Sequence, residues 1–344
     1  MTKLYSIGIG VGTQNQKGEW LEVFYPAPLL NPDAAIAAAL SDALGYSEGN
    51  TVIILDDSKL QSLADALDKQ QQSAQADAAR SLLNSSRPCV ATILASDDEP
   101  GSVPEAYLKL QLISHRLVRP HGINLSGIFG SLPNVAWTNE GAIDLAELPA
   151  RQVQARIKGQ NLSIDSVDKF PKMTDYVVPA GVRIADARRV RLGAYIGEGT
   201  TIMHEGFVNF NAGAEGPNMI EGRISAGVFV GAGSDLGGSS STMGTLSGGG
   251  NIIISVGKEC LLGANAGIGI PLGDRCIVEA GLYITAGTKV VMLDDSKQVA
   301  GETKARELAG KSDLLFRRNS VSGAIECLTN QTAVELNEAL HAHN

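Results

Sequence analysis

An aliphatic residue at every sixth position is the feature of this sequence that most constrains its fold. The beat pauses after Val208, resumes at Ile224, and continues with one interruption and one slip of two residues. Neither a helix of 3.6 residues per turn nor a strand of period two produces a six-residue beat. Repeated hexapeptides are typical of a parallel β-helix. The beat positions are Val178, Ile184, Val190, Ile196, Ile202, Val208, Ile224, Val230, Leu236, Val256, Leu262, Ile268, Leu272, Val278, Ile284 and Val290.

The repeat predicts a triangular prism in which each hexapeptide forms one strand and one turn, and three hexapeptides complete a coil. Each coil hydrogen-bonds to the next, so the stack is cooperative. Regular hexapeptides of this kind wind left-handed, against the usual right-handed crossover rule. The interior is filled by side chains, so ligands must bind outside it. We expect a trimer with sites in clefts between subunits, and we expect the chemistry at 209–223 and 237–255, where the beat breaks.

The rest of the chain predicts further domains, since 344 residues suggest two or three. Helix patterns and strand-length apolar runs alternate in the first 120 residues. "GIGVGT" (8–13) is interpreted as a strand followed by a glycine-rich turn, because no helix pattern follows it as a dinucleotide loop requires. The predicted division is an α/β N-terminal domain (1–120), a partly helical connecting segment (121–177), a left-handed β-helix (178–292) and a short C-terminal extension (293–344).

Composition and charge exclude several classes of protein. The formal net charge of −9 provides no basic footprint for nucleic acid. No apolar run reaches the roughly 18 residues of a membrane span, and the first residues lack the apolar core of a signal peptide. The four cysteines show no C-x-x-C spacing and do not indicate a disulfide framework. We therefore expect a cytoplasmic protein with neither a membrane nor a nucleic acid as partner.

Charged residues near the breaks in the beat are the candidate functional groups. The stretch 209–223 carries Glu215, Glu221 and Arg223, and the arginine either binds an anion or pairs with one of these glutamates. The insertion "GGSSSTMGTLSGGG" (237–250) has no ionisable side chain and could fold over an extended ligand. Near the C-terminus a local basic cluster suits phosphates or carboxylates, or is a solvated tail. Its members are Lys304, Arg306, Arg317 and Arg318.

Long motifs across residues 165–323 resemble the tetrahydrodipicolinate N-succinyltransferase family, in its branch with a long N-terminal domain. They include "MIEGRISAGVFVGAGSDLGG", "MGTLSGGG", "CLLGANAGIGIPLGD", "KARELAG" and "LLFRRNSVSGA". The resemblance implies transfer of a succinyl group from succinyl-CoA to the amine of ring-opened tetrahydrodipicolinate, in lysine and diaminopimelate biosynthesis. The products are N-succinyl-2-amino-6-oxopimelate and CoA. It also implies a homotrimer with no tightly bound cofactor.

The resemblance also implies roles for individual residues. Glu221, in the E-G-R motif, is the catalytic carboxylate, either as general base or through an acyl intermediate. Arg223 binds a carboxylate, most simply that of the succinyl group. The resemblance places succinyl-CoA contacts at Gly238, Ser241, Ala264, Glu279, Ala280, Gly287, Lys304, Arg317, Arg318, Asn319 and Ser320.

The sequence also leaves open a metal site and three alternative functions. Relatives hold a divalent cation such as magnesium near the threefold axis through two carboxylates; Glu205 matches one, but Arg188 stands at the other. A carbonic anhydrase of this fold needs three histidines on zinc, and only His204 lies in the repeat. Another CoA-dependent acyltransferase of the fold is the enzymatic alternative. A non-catalytic β-helix scaffold is the third, although the interrupted beat disfavours it.

Overall fold

The computed structural model describes residues 3–244 and 252–329. These divide into two compact units. The first holds residues 3–112, 122–171 and 175–177, and the second holds 113–121, 172–174 and the described residues from 178 onward. Residues 122–171 thus belong to the first unit, while the domain boundaries after residues 120, 177 and 292 stay predictions. Residues 245–251, inside the predicted Gly/Ser-rich insertion, and the end of the chain after 329 lie outside the described residues.

The first unit contains an antiparallel sheet in the order β2-β1-β5-β4, with β3 paired to β1. Apolar faces of α1, α2 and α3 pack on this sheet around Leu40, Leu63 and Ile93. None of the helices among the described residues is long and apolar enough to span a membrane. The elements are β1 Ser6–Gln14, β2 Trp20–Phe24, β3 Leu29–Leu30, α1 Ala34–Leu44, β4 Thr51–Leu55, α2 Asp57–Lys69, α3 Ser73–Ser81, β5 Cys89–Leu94 and α4 Val103–Ser114, whose last two residues belong to the second unit.

The predicted helices and strands of this unit are present, with one correction. The glycines of "GIGVGT" lie inside β1, and the turn follows later, at Asn15–Gly18. A Cβ on Gly8 would lie 2.6 Å from the ring of Tyr25, and one on Gly10 would lie 2.3 Å from the carbonyl oxygen of Phe24. The glycines therefore let neighbouring chain pass close to the strand, and the prediction of a glycine-rich turn was wrong.

Residues 122–171 add a small antiparallel sheet, in the order β7-β6-β8, that packs with α6 around Ala136 and Ile143. The helix α6 has Pro149 in its first turn, where proline is tolerated. The elements are α5 Ile128–Ser131, β6 Val135–Thr138, β7 Gly141–Asp144, α6 Leu148–Ile157 and β8 Ile164–Asp168.

The second unit is built on a parallel β-helix with three faces. Most strands are two or three residues long, and each pairs in parallel with the strand one coil further. They are β9 Arg183–Ile184, β10 Ala194–Ile196, β11 Thr200–Ile202, β12 Phe207–Val208, β13 Ala212–Ala214, β14 Asn218–Ile220, β15 Arg223–Ile224, β16 Phe229–Val230, β17 Asp235–Leu236, β18 Ser241–Thr242, β19 Ser255–Val256, β20 Leu261–Leu262, β21 Gly267–Gly269, β22 Ile277–Val278 and β23 Tyr283–Thr285.

A C-terminal extension closes the end of the prism. Its strands are β24 Lys289–Leu293, β25 Val299–Lys304, β26 Leu314–Arg318 and β27 Ile325–Thr329. β24 pairs antiparallel with β25, as β26 does with β27, but β26 also pairs in parallel with β22, so Phe316 stands one coil beyond Val278. The extension therefore continues one face of the prism.

Three columns of inward side chains fill the prism, one behind each face. The first column is Ile196, Ala214, Val230 and Val256. The second is Ile184, Ile202, Ile220, Leu236, Leu262, Val278 and Phe316. The third is Val190, Val208, Ile224, Thr242, Ile268 and Ile284. The beat positions are buried except Val178, which is 70% exposed, and the half-buried Ile184.

The three columns show that the repeat continues through both stretches where a break was predicted. Ala214 and Ile220 keep the repeat going through 209–223, and Thr242 keeps it going into the segment predicted as a flexible insertion. All three are fully buried. The spacing of the repeat does shorten from six residues to four between Ile220 and Ile224. Only Glu221, Gly222 and Arg223 therefore connect these two faces of the prism. Val178 was wrongly assigned to the interior, since the first paired strand is β9.

Candidate active site

One edge of the prism collects most of the predicted functional residues. The backbone N–H of Glu221 donates to the carbonyl of Leu236 one coil further, and Gly237, Gly263 and Glu279 repeat this bond at 2.8–3.0 Å. From Ile220 onward, the two residues after each inward residue of the second column therefore stack, and we call them the Glu221 edge. Its members are Glu221 and Gly222, Gly237 and Gly238, Gly263 and Ala264, Glu279 and Ala280, and Arg317 and Arg318.

The length of this edge follows from strand spacing. Parallel strands lie about 4.8 Å apart, so the four steps from Glu221 to Arg317 span about 19 Å. Small residues line the middle of the edge. A Cβ on Gly263 would lie 2.5 Å from the backbone nitrogen of Ala280, and one on Gly237 would lie 2.8 Å from that of Ala264. Close packing of successive coils thus accounts for the glycines, and these small, partly exposed residues form a track beside the backbone.

The carboxylate of Glu221 lies at one end of the track. A Cβ on Gly238 would lie 3.5 Å from Glu221 Oε2, so these two predicted residues meet across adjacent coils. Gly222 cannot carry a side chain, because its Cβ would fall 2.1 Å from Ser240 Oγ. No residue of the described chain forms a hydrogen bond or an ion pair with the Glu221 carboxylate.

Arg223 pairs with neither of the two glutamates that the sequence offered as its salt-bridge partners. Its Nη2 donates to Ser241 Oγ at 2.6 Å, which joins two predicted binding residues. Glu215 instead pairs with Arg119 at 2.8 Å. Burial raises the pKa of Glu215, but hydrogen bonds from the Ala232 N–H and Arg119 and the charges of Arg119 and Lys258 lower it by more. The pKa of Glu215 therefore lies below its ordinary value. The alternative of a salt bridge from Arg223 to Glu215 or Glu221 is therefore not formed within the described residues.

An open cleft of about 590 Å³ lies beside Arg223 on the outer side of the third face. Its walls come from three successive coils and from the short helix before Val190. The lining residues are Arg189, His204, Glu205, Phe207, Gly222, Arg223, Ser239, Ser240 and Ser241. The regular coil, not a flexible insertion, supplies the serines, since Ser241 belongs to β18.

The basic cluster is only partly available for a ligand. Arg317 Nε donates to Glu326 Oε2 at 2.8 Å, and Asn319 Nδ2 donates to Glu326 Oε1 at 2.8 Å. Arg318 is exposed, and its backbone N–H donates to Glu279 Oε2 at 2.7 Å. Glu326 was not predicted, because nothing in "GAIECLT" marks it until the antiparallel pairing of β26 and β27 is known. Ser320 is exposed at the turn between these strands.

Two predicted contacts lie off the Glu221 edge. Gly287 follows the third column and stands at the other edge of the third face, where Ala286 O accepts from the N–H of Arg306. Lys304 ends β25 opposite Lys289 and is exposed. The fold therefore brings Gly238, Ala264, Glu279, Ala280 and Arg318 together on one edge, and places these two residues elsewhere.

Glu205 does not form a magnesium site with the other described residues. Magnesium prefers six oxygen ligands in an octahedron, yet no group of three or more His, Cys, Asp or Glu side chains comes together within residues 3–244 and 252–329. Glu205 Oε2 accepts from Ser239 Oγ at 3.1 Å. Arg188 at the second predicted position forms an ion pair with Asp186. The metal assignment of Glu205 stays a prediction, and no step below uses a metal.

Two family models match the chain. One, described as the middle region of tetrahydrodipicolinate N-succinyltransferase, matches residues 132–172. The other, described as a hexapeptide repeat of succinyl-transferase, matches residues 253–286. The first covers the small sheet with α6, and the second covers β19 to β23 with the adjoining turns.

Relatives match over the full length. A Pseudomonas paraeruginosa protein named 2,3,4,5-tetrahydropyridine-2,6-dicarboxylate N-succinyltransferase is 69% identical over 99% of both chains. A Vibrio cholerae protein of the same name is 59% identical over 99% of both. A Campylobacter jejuni crystal structure, assigned as a 2,3,4,5-tetrahydropyridine-2-carboxylate N-succinyltransferase, has a TM-score of 0.89 at 35% identity and covers 97% of this chain and 94% of its own. The repeat and this structure fit a left-handed β-helix with an N-terminal domain.

Proposed function

The chain belongs to the tetrahydrodipicolinate N-succinyltransferase family, and from this membership we propose how its second unit performs the reaction. The enzyme transfers the succinyl group of succinyl-CoA to tetrahydrodipicolinate, a step in lysine and diaminopimelate biosynthesis. The amine of the ring-opened acceptor attacks the thioester carbonyl. The resulting tetrahedral oxyanion collapses, the carbon–sulfur bond breaks, and CoA leaves as the thiol.

The Glu221 edge is the proposed seat of succinyl-CoA. The observation that carries this proposal is that Glu221, Gly238, Ala264, Ala280 and Arg318 occupy successive coils of one edge. An extended pantetheine arm lies along the small residues, where its amides reach the backbone. Its thioester end meets Glu221, and its phosphates meet Arg318, while Arg317 orders the turn to Ser320 through Glu326. Gly287 and Lys304 contact the donor from the other edge of the third face.

Glu221 is proposed as the general base that takes the proton from the attacking amine. A carboxylate with no hydrogen-bond partner among the described residues, beside a small-residue track, is placed for this role. Arg223, steadied by Ser241, holds the succinyl carboxylate in a charge-assisted hydrogen bond. The alternative role, an acyl intermediate on Glu221, makes a different prediction in the experiment below.

The test is thiol release from succinyl-CoA with enzymatically generated tetrahydrodipicolinate. The wild type should release CoA, and Glu221→Gln should lose at least about 10²-fold in kcat, the scale of a lost general base. Absence of release by the wild type would overturn the assigned reaction. Full activity in Glu221→Gln would overturn the role of the carboxylate. A succinyl mass added to Glu221 after mixing with succinyl-CoA alone would replace the general base with an acyl intermediate.

Assembly and location belong to the same proposal. A threefold arrangement would place the third face and its cleft against a neighbouring copy and so complete the site. A cytoplasmic location agrees with the four cysteines, Cys89, Cys260, Cys276 and Cys327, all of which are free thiols.

A further inference from the structure

A file of side chains runs up the outer side of the third face. In a strand, residues on either side of an inward residue point outward. The strand register places Phe207 beside Arg223 and Arg223 beside Ser241. Arg189 precedes Val190, which pairs with Val208, so Arg189 stands one coil before Phe207. All four residues line the cleft. The cleft therefore has a guanidinium at two levels with an aromatic ring between them.

Arg189 is held in place before any ligand arrives. Its Nε donates to Gly206 O at 3.0 Å, and its Nη2 donates to Glu205 O at 2.9 Å. Its Cζ lies 6.0 Å from the centroid of the Phe207 ring. Among the described residues no carboxylate pairs with Arg189, and Nη1 has no acceptor. A guanidinium anchored on one side with donors left on the other suits an anionic ligand that binds in its plane.

The Arg189 end of the cleft and the proposed donor track lie on opposite sides of Glu221 along the prism. The donor track begins at Gly238, one coil after Glu221, and continues away from Arg189. Arg189 and Phe207 stand on the two coils before Glu221. This end of the cleft is therefore left for the acceptor. Arg189 lies two coils before Glu221, which is about 10 Å, a distance that a seven-carbon acceptor can span.

We propose that Arg189, seated over Phe207, binds the acceptor carboxylate farthest from the reacting amine and so fixes specificity for a dicarboxylate acceptor. This inference rests on the proposed function. The amine then lies at the coil of Glu221, which removes its proton. Glu205 adds one negative charge to the same cleft, beside the path of the amine, and its Oε2 is held by Ser239 Oγ. Arg189 is a binding residue, and no covalent step passes through it.

The test compares Arg189→Met and Arg189→Lys with Arg188→Met. Arg188 is the matched control, because it neighbours Arg189 in sequence but is bonded through Nε and Nη2 to Asp186 and does not line the cleft. Arg189→Met should raise KM for tetrahydrodipicolinate about ten- to hundredfold, as expected for a lost hydrogen bond to a charged group. KM for succinyl-CoA should stay within about twofold. Arg189→Lys should fall between, since it keeps the charge but loses the planar fork.

Two further outcomes separate this inference from its alternatives. Unchanged KM for tetrahydrodipicolinate in Arg189→Met would overturn it. An equal rise in both KM values with a lowered melting temperature in both Arg189 variants would also overturn it and assign Arg189 to holding the Glu205–Gly206 turn. Calorimetric titration with pimelate, a seven-carbon dicarboxylate, does not depend on turnover. Its binding should weaken in Arg189→Met but not in Arg188→Met, even if the wild type fails the thiol-release assay.

Discussion

At the scale of single residues, Glu326 shows how one buried carboxylate organises the end of the proposed donor track. It is 7% exposed and accepts hydrogen bonds from both Arg317 and Asn319. Replacing it with alanine leaves a half-buried guanidinium and an amide without their acceptor. Glu326→Ala should therefore lower the free energy of unfolding by about 1–3 kcal/mol and raise KM for succinyl-CoA. Urea unfolding and steady-state kinetics would measure the two effects. An unchanged stability would contradict the contact.

The same carboxylate makes a prediction about pH. The hydrogen bond from Asn319, followed by the bond and the charge of Arg317, holds the pKa of Glu326 below its ordinary value. A carboxyl whose pKa is lower in the folded state stabilises the fold above its unfolded pKa and loses that contribution as pH falls through its folded pKa. The difference in unfolding free energy between wild type and Glu326→Gln should thus be full at pH 7 and shrink below about pH 4. A pH-independent difference would contradict this assignment.

Single residues also show how far sequence reasoning reaches. The motif around Glu221 and Arg223 is contiguous, so the sequence and its family resemblance are enough to select both residues as candidates. Arg189 and Phe207 could not be selected in this way, because only the register of successive coils places them in one file with Arg223. That register depends on the shorter spacing between Ile220 and Ile224. The same holds for the partnership of Arg317 and Glu326, which depends on an antiparallel pairing in the extension. Contacts between distant turns of the chain need the register as well as the pattern.

At the scale of elements, the aliphatic beat predicted the β-helix but misplaced the two breaks in its repeat. Ala214 and Thr242 occupy inward positions with side chains that an aliphatic pattern does not count. Thr242 is tolerated inside because its Oγ1 donates to Arg223 O and accepts from the Ser225 N–H. Ile220 was missed because it lies only four positions before the next inward residue, Ile224, instead of the usual six. The glycines of β1 were misread because close backbone approach and a turn both select glycine.

A pair of substitutions tests these assignments. Ile220 is fully buried in the second column directly before Glu221, whereas Val178 opens the six-residue beat but is 70% exposed. Ile220→Ala should lower the free energy of unfolding by about 2–5 kcal/mol, because it opens a cavity in the prism. Val178→Ala should change it by less than about 0.5 kcal/mol. Urea unfolding of both variants would measure the difference. Equal losses would contradict the assignment of inward positions.

At the scale of the whole molecule, the proposed site would let an acidic protein bind two anionic substrates through a few placed cations. The net charge of −9 gives no general attraction, so we assign the affinity to local groups, namely Arg189, Arg223 and Arg318. Salt at physiological concentration screens exposed charges that lie more than about 8–10 Å apart. The sequence could predict that such cations exist, but not that two of them frame one cleft, since that follows from the coil.

The proposed threefold assembly links the oligomeric state of the protein to its activity. The cleft beside Arg223 is open on the isolated chain, and a closed ring of three copies would cover it without leaving a free face. Light scattering should therefore give a mass about three times 36.0 kDa. On progressive dilution, specific activity should fall together with the measured mass, because a shared site disappears when copies separate. Glu221→Gln is the control, since it should keep the trimer mass while losing turnover. A monomer that retains full specific activity would rule out a site completed by a second copy.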